Sequence, residues 1–349
     1  MYINLVAPIN NVSYGIVSLA ILKELIKQGY VVSLFPIGPI GLENVEDKQF
    51  VQLGLENAKF FNPDAPSVRI WHQFDHSLFP GRGKRFAFPI FELNKFNDHE
   101  KHHLTNVDEI LVPSAWAKEV ISSNGIKNPT HVVPLAVDTS VFHPLLEKKY
   151  KSTIFLNIGK WESRKGHDIL LEAFCKAFGP DDNVELWLMT ENPFIGSKNE
   201  EWKNKYLQSS MGHRVRFFPH LPGQNNMAKE INQADCGVFP TKAEGWCLPA
   251  LEMMACGKEV IITNYSGQTE FCSTARLVDI TGMETANDGV WFDGRGEWSV
   301  PNVVTLIKHM QDVHQLKQSG KLQLNVANLE QASKFTWENT VKKLVSVVL

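Results

Sequence analysis

The chain has 349 residues, with 43% hydrophobic and 21% charged side chains. This ordinary globular composition excludes wholesale disorder and, at about 150 residues per domain, allows roughly two domains. Lys+Arg number 35 against Asp+Glu 38, a net charge of -3, so there is no excess of cations to displace counterions and the chain reads as a poor general nucleic-acid binder, with a local basic patch left open. No run of 18 apolar residues occurs, so no segment is expected to cross a bilayer. Residues 1–8 lack a basic n-region and read as a strand, not a signal peptide. The five cysteines, Cys175, Cys236, Cys247, Cys256 and Cys272, form no CxxC pair and read as reduced, mostly buried thiols of a cytoplasmic protein.

In chain order, a strand is expected over 3–7. A helix follows, with Ile16, Val17, Ala20, Ile21 and Leu25 on one stripe, Ser13 as its cap and Gly29 as its stop. Further strands are expected over 31–35, 68–72, 86–90, 109–112 and 131–134, with helices at 98–105 and 115–123. After a polar join at 147–151 the alternation restarts. Strands at 153–158, 184–189, 215–218, 236–239 and 260–263 alternate with helices at 168–178, 200–208, 228–233 and 250–255. Such alternation predicts parallel sheets covered on both faces, hence an α/β protein of two doubly wound domains. The glycine-rich, aromatic stretch 289–296 reads as a loop or hairpin. Helices follow at 302–313 and from Trp337, the last bearing Lys342 and Lys343 and packing on the fold or presenting a basic surface.

Two segments concentrate chemistry. Residues 241–257 (TKAEGWCLPALEMMACG) follow a strand and open a helix, with Pro249 in its first turn and Gly257 as its stop. Glu244 then lies in the loop at the carboxyl end of a strand and Glu252 on the first turn, where a parallel sheet binds ligands and a helix start offers N–H groups to an anion. On these residues alone, a Glu252 that only complements the helix dipole and a solvated Glu244 read equally well. Residues 157–174 (NIGKWESRKGHDILLEAF) are again strand, loop and helix, with Lys160, Arg164 and Lys165 in one loop as a candidate diphosphate cradle.

Together these segments resemble the group 1, family 4, glycosyltransferases. The G-K…K-G loop and L-L-x-A-F helix span Gly159 to Phe174. Two glutamates with seven residues between them, Glu244 and Glu252, lie in an E-G-W-x-L-P-x-L-E-x-M-A-x-G context. The 235–241 strand and the 112–114 and 133–144 segments match in order. The resemblance implies the GT-B fold, two Rossmann-like domains facing each other across a cleft. Residues 1–148 would take the acceptor, 149–330 the nucleotide-sugar donor, and 331–349 would form a helix returning to the first domain. It implies a retaining hexosyl- or related transferase that passes sugar from a UDP- or GDP-sugar to a glycan, lipid-linked or small-molecule hydroxyl. The alternative is a catalytically silent GT-B protein that binds nucleotide or glycan. No cofactor and no essential metal are implied, and peripheral contact with the inner face of a membrane stays open.

Carried onto this sequence, Lys165 binds the diphosphate, with Lys160 in place of a more usual arginine, and Arg164 either joins them or faces solvent. Glu252 takes the ribose hydroxyls and Glu244 the donor sugar. Gly159, Gly245, Trp246, Cys247 and Leu248 complete the donor loops, and the backbone at Val215 and Arg216 meets the base. Pro219-His220 departs from the glycine usual there. On the acceptor side, Gly15 follows Asn10-Asn11 at the first turn, and His72 is the first choice for a histidine close to the reacting sugar, the other reading being a histidine hydrogen-bonded in a loop. Asp75 or His76 could substitute, and Glu92 faces the cleft. Arg82, Lys84 and Arg85 either guide an anionic acceptor or form a solvated turn. His72, Glu244 and Lys165 are thus the catalytic candidates. A nicotinamide dehydrogenase is disfavoured because no G-x-G-x-x-G follows a first strand, and a zinc enzyme because ligand clusters are missing.

Overall fold

Runs such as 3–7 and 153–158 are apolar at nearly every position because central strands of a parallel sheet are covered on both faces. The computed structural model describes the chain apart from Glu43, residues 146–149, His220 and Pro222. The chain divides into two units, Met1–Ala136 with Phe335–Leu349, and Val137–Lys334. The expected 148/149 boundary, most of the polar join and His220 lie outside the described residues.

The first unit runs β1 (Tyr2–Ala7), α1 (Ser13–Lys27), β2 (Val31–Pro36), α2 (Val45–Ala58), β3 (Ser67–Trp71), β4 (Arg85–Pro89), α3 (Asp98–Thr105), β5 (Glu109–Val112), α4 (Ala115–Ser123) and β6 (Thr130–Val132). Its strands form one parallel sheet in the order β2-β1-β3-β4-β5-β6. The strand order reverses between β1 and β3, and a ligand crevice opens at such a point, outside the carboxyl ends of the strands. Helix α1 begins at Ser13 with Val12 as its cap residue, so the expected Ser13 cap is not made; Asn10 Oδ1 instead accepts from the Val12 N–H at 3.1 Å.

The second unit runs β7 (Thr153–Ile158), α5 (His167–Ala177), β8 (Val184–Met189), α6 (Lys198–Leu207), β9 (Val215–Phe217), α7 (Gln224–Gln233), β10 (Cys236–Phe239), α8 (Leu248–Ala255), β11 (Glu259–Thr263), β12 (Arg276–Val278), β13 (Ile280–Asn287), β14 (Asp293–Pro301), α9 (Val303–Gln318) and α10 (Val326–Ala332). Its parallel sheet has the order β12-β11-β10-β7-β8-β9, which reverses between β7 and β10. The loops after β7 and β10, the two segments richest in candidate residues, therefore flank that reversal. Phe155, Leu186, Leu188, Val238 and Ile261 form the sheet core, onto which α5 packs Leu170, Ala173 and Phe174 and α9 packs Leu306, Met310 and Val313. Strands β13 and β14 form an antiparallel hairpin outside this sheet.

The last helix, α11 (Trp337–Val348), belongs to the first unit. It buries Val341, Leu344 and Val348 and packs on α1, and Thr340 Oγ1 donates to the Pro134 carbonyl at 2.8 Å. Lys342 pairs with Glu338 one turn away. All five cysteines are free thiols, four of them buried. Among the described residues no helix is long and apolar enough to cross a membrane.

Candidate functional site

The β7–α5 loop is held from below. Gly159 N–H donates to the Met189 carbonyl at 3.1 Å, and the Lys160 carbonyl accepts from His167 Nε2 at 2.8 Å. Burial pushes the His167 imidazole down to about 4, so the ring is neutral and serves as a donor to the backbone. Buried Trp161 stacks on Trp202 at 5.5 Å, and its carbonyl accepts from Asn192 Nδ2 at 3.0 Å. Gly166 sits at φ +68°, and a Cβ there would lie 2.0 Å from the Pro240 carbonyl oxygen, so only glycine lets this loop meet the end of β10. The Lys242 N–H completes the join by donating to the Arg164 carbonyl at 2.7 Å.

This frame aims three cations at two carboxylates. Glu244, 4% exposed, accepts from Lys165 Nζ at 2.5 Å on Oε1 and from Arg164 Nη1 at 3.0 Å on Oε2. Arg164, 8% exposed, also donates to the Ala243 carbonyl and pairs with Glu162 at 2.7 Å, so it does not face solvent. Lys160 Nζ lies 3.9 Å from the other Glu162 oxygen and is the more open of the two lysines. Burial pushes the Glu162 carboxyl up, but the charges of Arg164, Lys165 and Lys160 outweigh it and hold the group below the usual carboxylate range. Sequence reasoning passed over Glu162 as a partner of these cations, although its place between Lys160 and Arg164 was the available signal.

The β10–α8 loop is equally fixed. Glu244 N–H donates to Ser266 Oγ at 2.9 Å, and its carbonyl accepts from the Gly267 N–H at 2.9 Å. Gly245 abuts Gly267, where a Cβ would come 2.0 Å from the Gly245 carbonyl oxygen. Trp246 is buried against Phe271. Cys247, φ +78°, and Ser266, φ +64°, both adopt the left-handed conformation that non-glycine residues rarely hold. Such backbone costs about 1–3 kcal/mol per residue and clusters at functional sites. Cys247 is the residue from which α8 departs at Leu248, with Pro249 in the first turn. Glu252 is the fifth helical residue, just past the expected first turn. It is 6% exposed, and its carboxyl has no hydrogen-bond or ion-pair partner among the described residues. Burial pushes its carboxyl up to about 8.

Val215 and Arg216 are not brought to these loops. Val215 is buried in the core and Arg216 pairs with Glu185 at 2.7 Å, both ahead of the carboxyl end of β9 at Phe217. The strand register explains this, because Arg216 lies opposite Trp187, two positions before the end of β8.

In the first unit, the loops after β1 and β3 meet at the other strand reversal. A Cβ on Gly15 would lie 2.3 Å from the Asn10 carbonyl oxygen, so the 8–12 loop tucks against the start of α1. The Tyr14 hydroxyl donates to the Ile90 carbonyl and lies 3.4 Å from His72 Nδ1. The His72 ring stacks on Phe74 at 5.2 Å and tilts on Tyr14 at 4.6 Å. Tyr14 and Phe74 were missed by sequence reasoning, which weighed polar groups and not the rings that orient them. Half-buried Glu92 comes from the loop after neighbouring β4.

The alternates to His72 are engaged elsewhere. Asp75 binds Arg69 of β3 at 2.6 Å. His76 is buried, and burial, then the charge of Arg69, pushes it down to about 3. Arg82, Lys84 and Arg85 pair on the surface with Asp64, Glu109 and Asp108. Among the described residues no group of three or more His, Cys, Asp or Glu is arranged to hold a metal ion.

Two Rossmann-like parallel sheets, each reversing its strand order between two central strands, are the arrangement of the GT-B fold. Residues 140–283 match the family described as glycosyl transferases group 1, so the second unit carries that family's sequence pattern. The chain is 21% identical over 251 residues to the GDP-mannose-dependent alpha-(1-6)-phosphatidylinositol dimannoside mannosyltransferase of Mycobacterium tuberculosis, which covers 70% of this chain and 58% of that enzyme. This chain thus spans little more than half the length of that relative. Its fold is similar to that of sucrose-phosphate synthase from Thermosynechococcus elongatus, with a TM-score of 0.72 at 16% identity over 99% of this chain and 98% of the other. It is also similar to Anabaena HepE in complex with UDP-glucose, with a TM-score of 0.71 at 12% identity over 100% and 99%.

Proposed function

We propose that the chain transfers a sugar from a nucleoside diphosphate sugar, UDP- or GDP-linked, to a hydroxyl of a glycan, lipid-linked or small-molecule acceptor, retaining the anomeric configuration. The observation that carries this reading is Glu244 gripped by Arg164 and Lys165 at the strand reversal, with buried Glu252 on the helix that starts there. The GDP-mannose dependence of the mycobacterial relative and the UDP-glucose bound to the Anabaena protein support the donor class.

In this reading the leaving diphosphate is stabilised by fixed charge. Lys165 and Lys160 bind its oxygens, and the start of α8 adds its N–H groups and dipole. Arg164 holds Glu244 in place. Each Glu244 oxygen keeps acceptor capacity beyond its one cation, enough for sugar hydroxyls. Glu252 accepts the ribose hydroxyls. His72, oriented by Tyr14 and Phe74, serves the acceptor side with Gly15 and Glu92. The departing diphosphate oxygen takes the acceptor hydroxyl proton on the face that the leaving group vacates, so configuration is kept. No metal is needed, because the lysines supply the positive charge.

Calorimetry with UDP, GDP and their common sugar conjugates tests the donor site. One of the diphosphates is expected to bind in the micromolar range, with the same affinity in EDTA. If none binds, the donor reading fails and a catalytically silent GT-B protein takes its place. Strict dependence on a divalent ion would overturn the lysine-based account. With the donor identified, NMR of the first-formed product is expected to give the anomer of the donor; an inverted anomer would rule out the retaining mechanism.

A further inference from the structure

The β13–β14 hairpin reaches across the donor-side loops. Its base is bound to the β10–α8 loop. Ser299 donates to the Lys242 carbonyl through N–H at 3.0 Å and Oγ at 2.7 Å, and Lys242 Nζ pairs with Glu284 at 2.6 Å. Trp298 and Ala286 pack on Ala243, the residue before Glu244. Its tip meets the loop after β8. There Trp291 and Phe194 lie edge to face, ring centroids 6.0 Å apart, and Lys160 Nζ sits 5.2 Å from the Phe194 centroid.

These rings are exposed, Trp291 by 55% and Phe194 by 60%, yet the tryptophan is held by a built turn. One carboxylate oxygen, Asp288 Oδ1, accepts from the N–H groups of Val290, Trp291 and Phe292 at 2.9, 2.8 and 3.0 Å. Phe292 is anchored in turn on Trp298 at 4.8 Å. A large apolar side chain fixed in place and left open to water gains little for the fold. Its orientation is already paid for when a ligand arrives.

We propose that Trp291 and Phe194 form an aromatic platform for the flat face of the nucleobase of the nucleoside diphosphate. This rests on the donor reading above. A phosphate paired with Lys160 brings the nucleoside within reach of rings that the same lysine touches. Stacking on an aromatic face recognises any base, and the T-shaped pair offers an edge and a face to a third ring. Asp288 is the positioning residue, acting through the Trp291 backbone. The platform makes the site prefer nucleoside diphosphates over bare diphosphates, a selectivity that the lysines alone cannot supply.

Calorimetry of the full chain with UDP, GDP and inorganic pyrophosphate tests this. Trp291→Ala and Phe194→Ala are each expected to weaken the bound nucleotide by about tenfold, the effect of losing one stacking contact. Pyrophosphate affinity should stay within about twofold of the parent, since a point charge on Lys160 and Lys165 is untouched. Trp291→Phe should keep nucleotide binding, and Asp288→Ala should weaken it without changing pyrophosphate binding. Unchanged nucleotide affinity in both alanine variants overturns the platform and leaves the donor site standing. An equal loss for nucleotide and pyrophosphate also overturns it, because the rings would then only shape the lysine loop. Failure of the parent chain to bind nucleotide removes the donor reading itself, and the platform with it.

Discussion

Lys165→Ala is expected to cut kcat/KM for sugar transfer by about 2–4 kcal/mol, some tens- to a thousandfold, the range for losing one preorganised charge-stabilising group. Lys165 Nζ is mostly buried, and its place is set by the Glu244 carboxylate at 2.5 Å. A cation so fixed needs no reorganisation when charge develops on the leaving oxygen. Lys160, more open and only 3.9 Å from its carboxylate, is less preorganised, so Lys160→Ala should cost less. Removing Lys165 leaves Glu244 bound to Arg164, so the loop should survive and the loss should fall on kcat more than on KM. Steady-state kinetics with the donor that calorimetry identifies checks this. A Lys165→Ala enzyme within threefold of the parent would exclude the lysine from the chemistry.

Most strands of the two parallel sheets were legible because they are short, largely buried runs bounded by turn residues, whereas β12, three residues long, was not. Helix α2 was not legible, because it buries only Val51 and Gly54 and shows no apolar stripe. Helix α10, seven residues long, fell below the length at which periodicity speaks. The hairpin was seen only at its glycine-rich tip. Strand β13 is exposed on nearly all of its length and so lacks the alternation of a half-buried strand. At the site, Glu244, Glu252 and Lys165 stood out by their spacing in a recognisable pattern. The grip of Arg164 on Glu244 was not readable, because it joins residues 80 positions apart across adjacent strands β7 and β10. The strained backbone of Cys247 and Ser266 was equally hidden, since neither residue type announces a positive φ.

Glu252→Gln is expected to stabilise the ligand-free chain and to weaken nucleotide binding. The Glu252 carboxyl is pushed from 4.5 up to about 8 by burial. Below pH 4.5 the folded and unfolded chains both hold the proton, and burial of the carboxyl costs nothing through ionisation. Between 4.5 and 8 the unfolded chain gives up the proton while the folded chain keeps it, so stability falls as pH rises, by about 1.4 kcal/mol per unit. Above 8 the loss levels off at about 3–5 kcal/mol. Cys256, which caps the C-terminus of α8, has its thiol pushed up to about 12 by burial and stays neutral throughout this range. Glutamine carries no ionisation cost, so the advantage of the variant in thermal unfolding should be absent near pH 4 and grow toward pH 8. Ligand binding runs the other way. Ribose hydroxyls donate to the carboxylate and favour its charged form, so nucleotide affinity of the parent should rise with pH until about 8 and then flatten, and the glutamine variant should bind weakly with no such slope. Thermal scans and calorimetry from pH 5 to 9 measure both. A stability difference that does not change with pH, or a variant less stable than the parent at pH 8, would show that the carboxylate is not held at a cost in the empty site. The expected pair of slopes would show that this cost is relieved when a ligand brings hydroxyl donors to a carboxylate that the fold leaves without a partner.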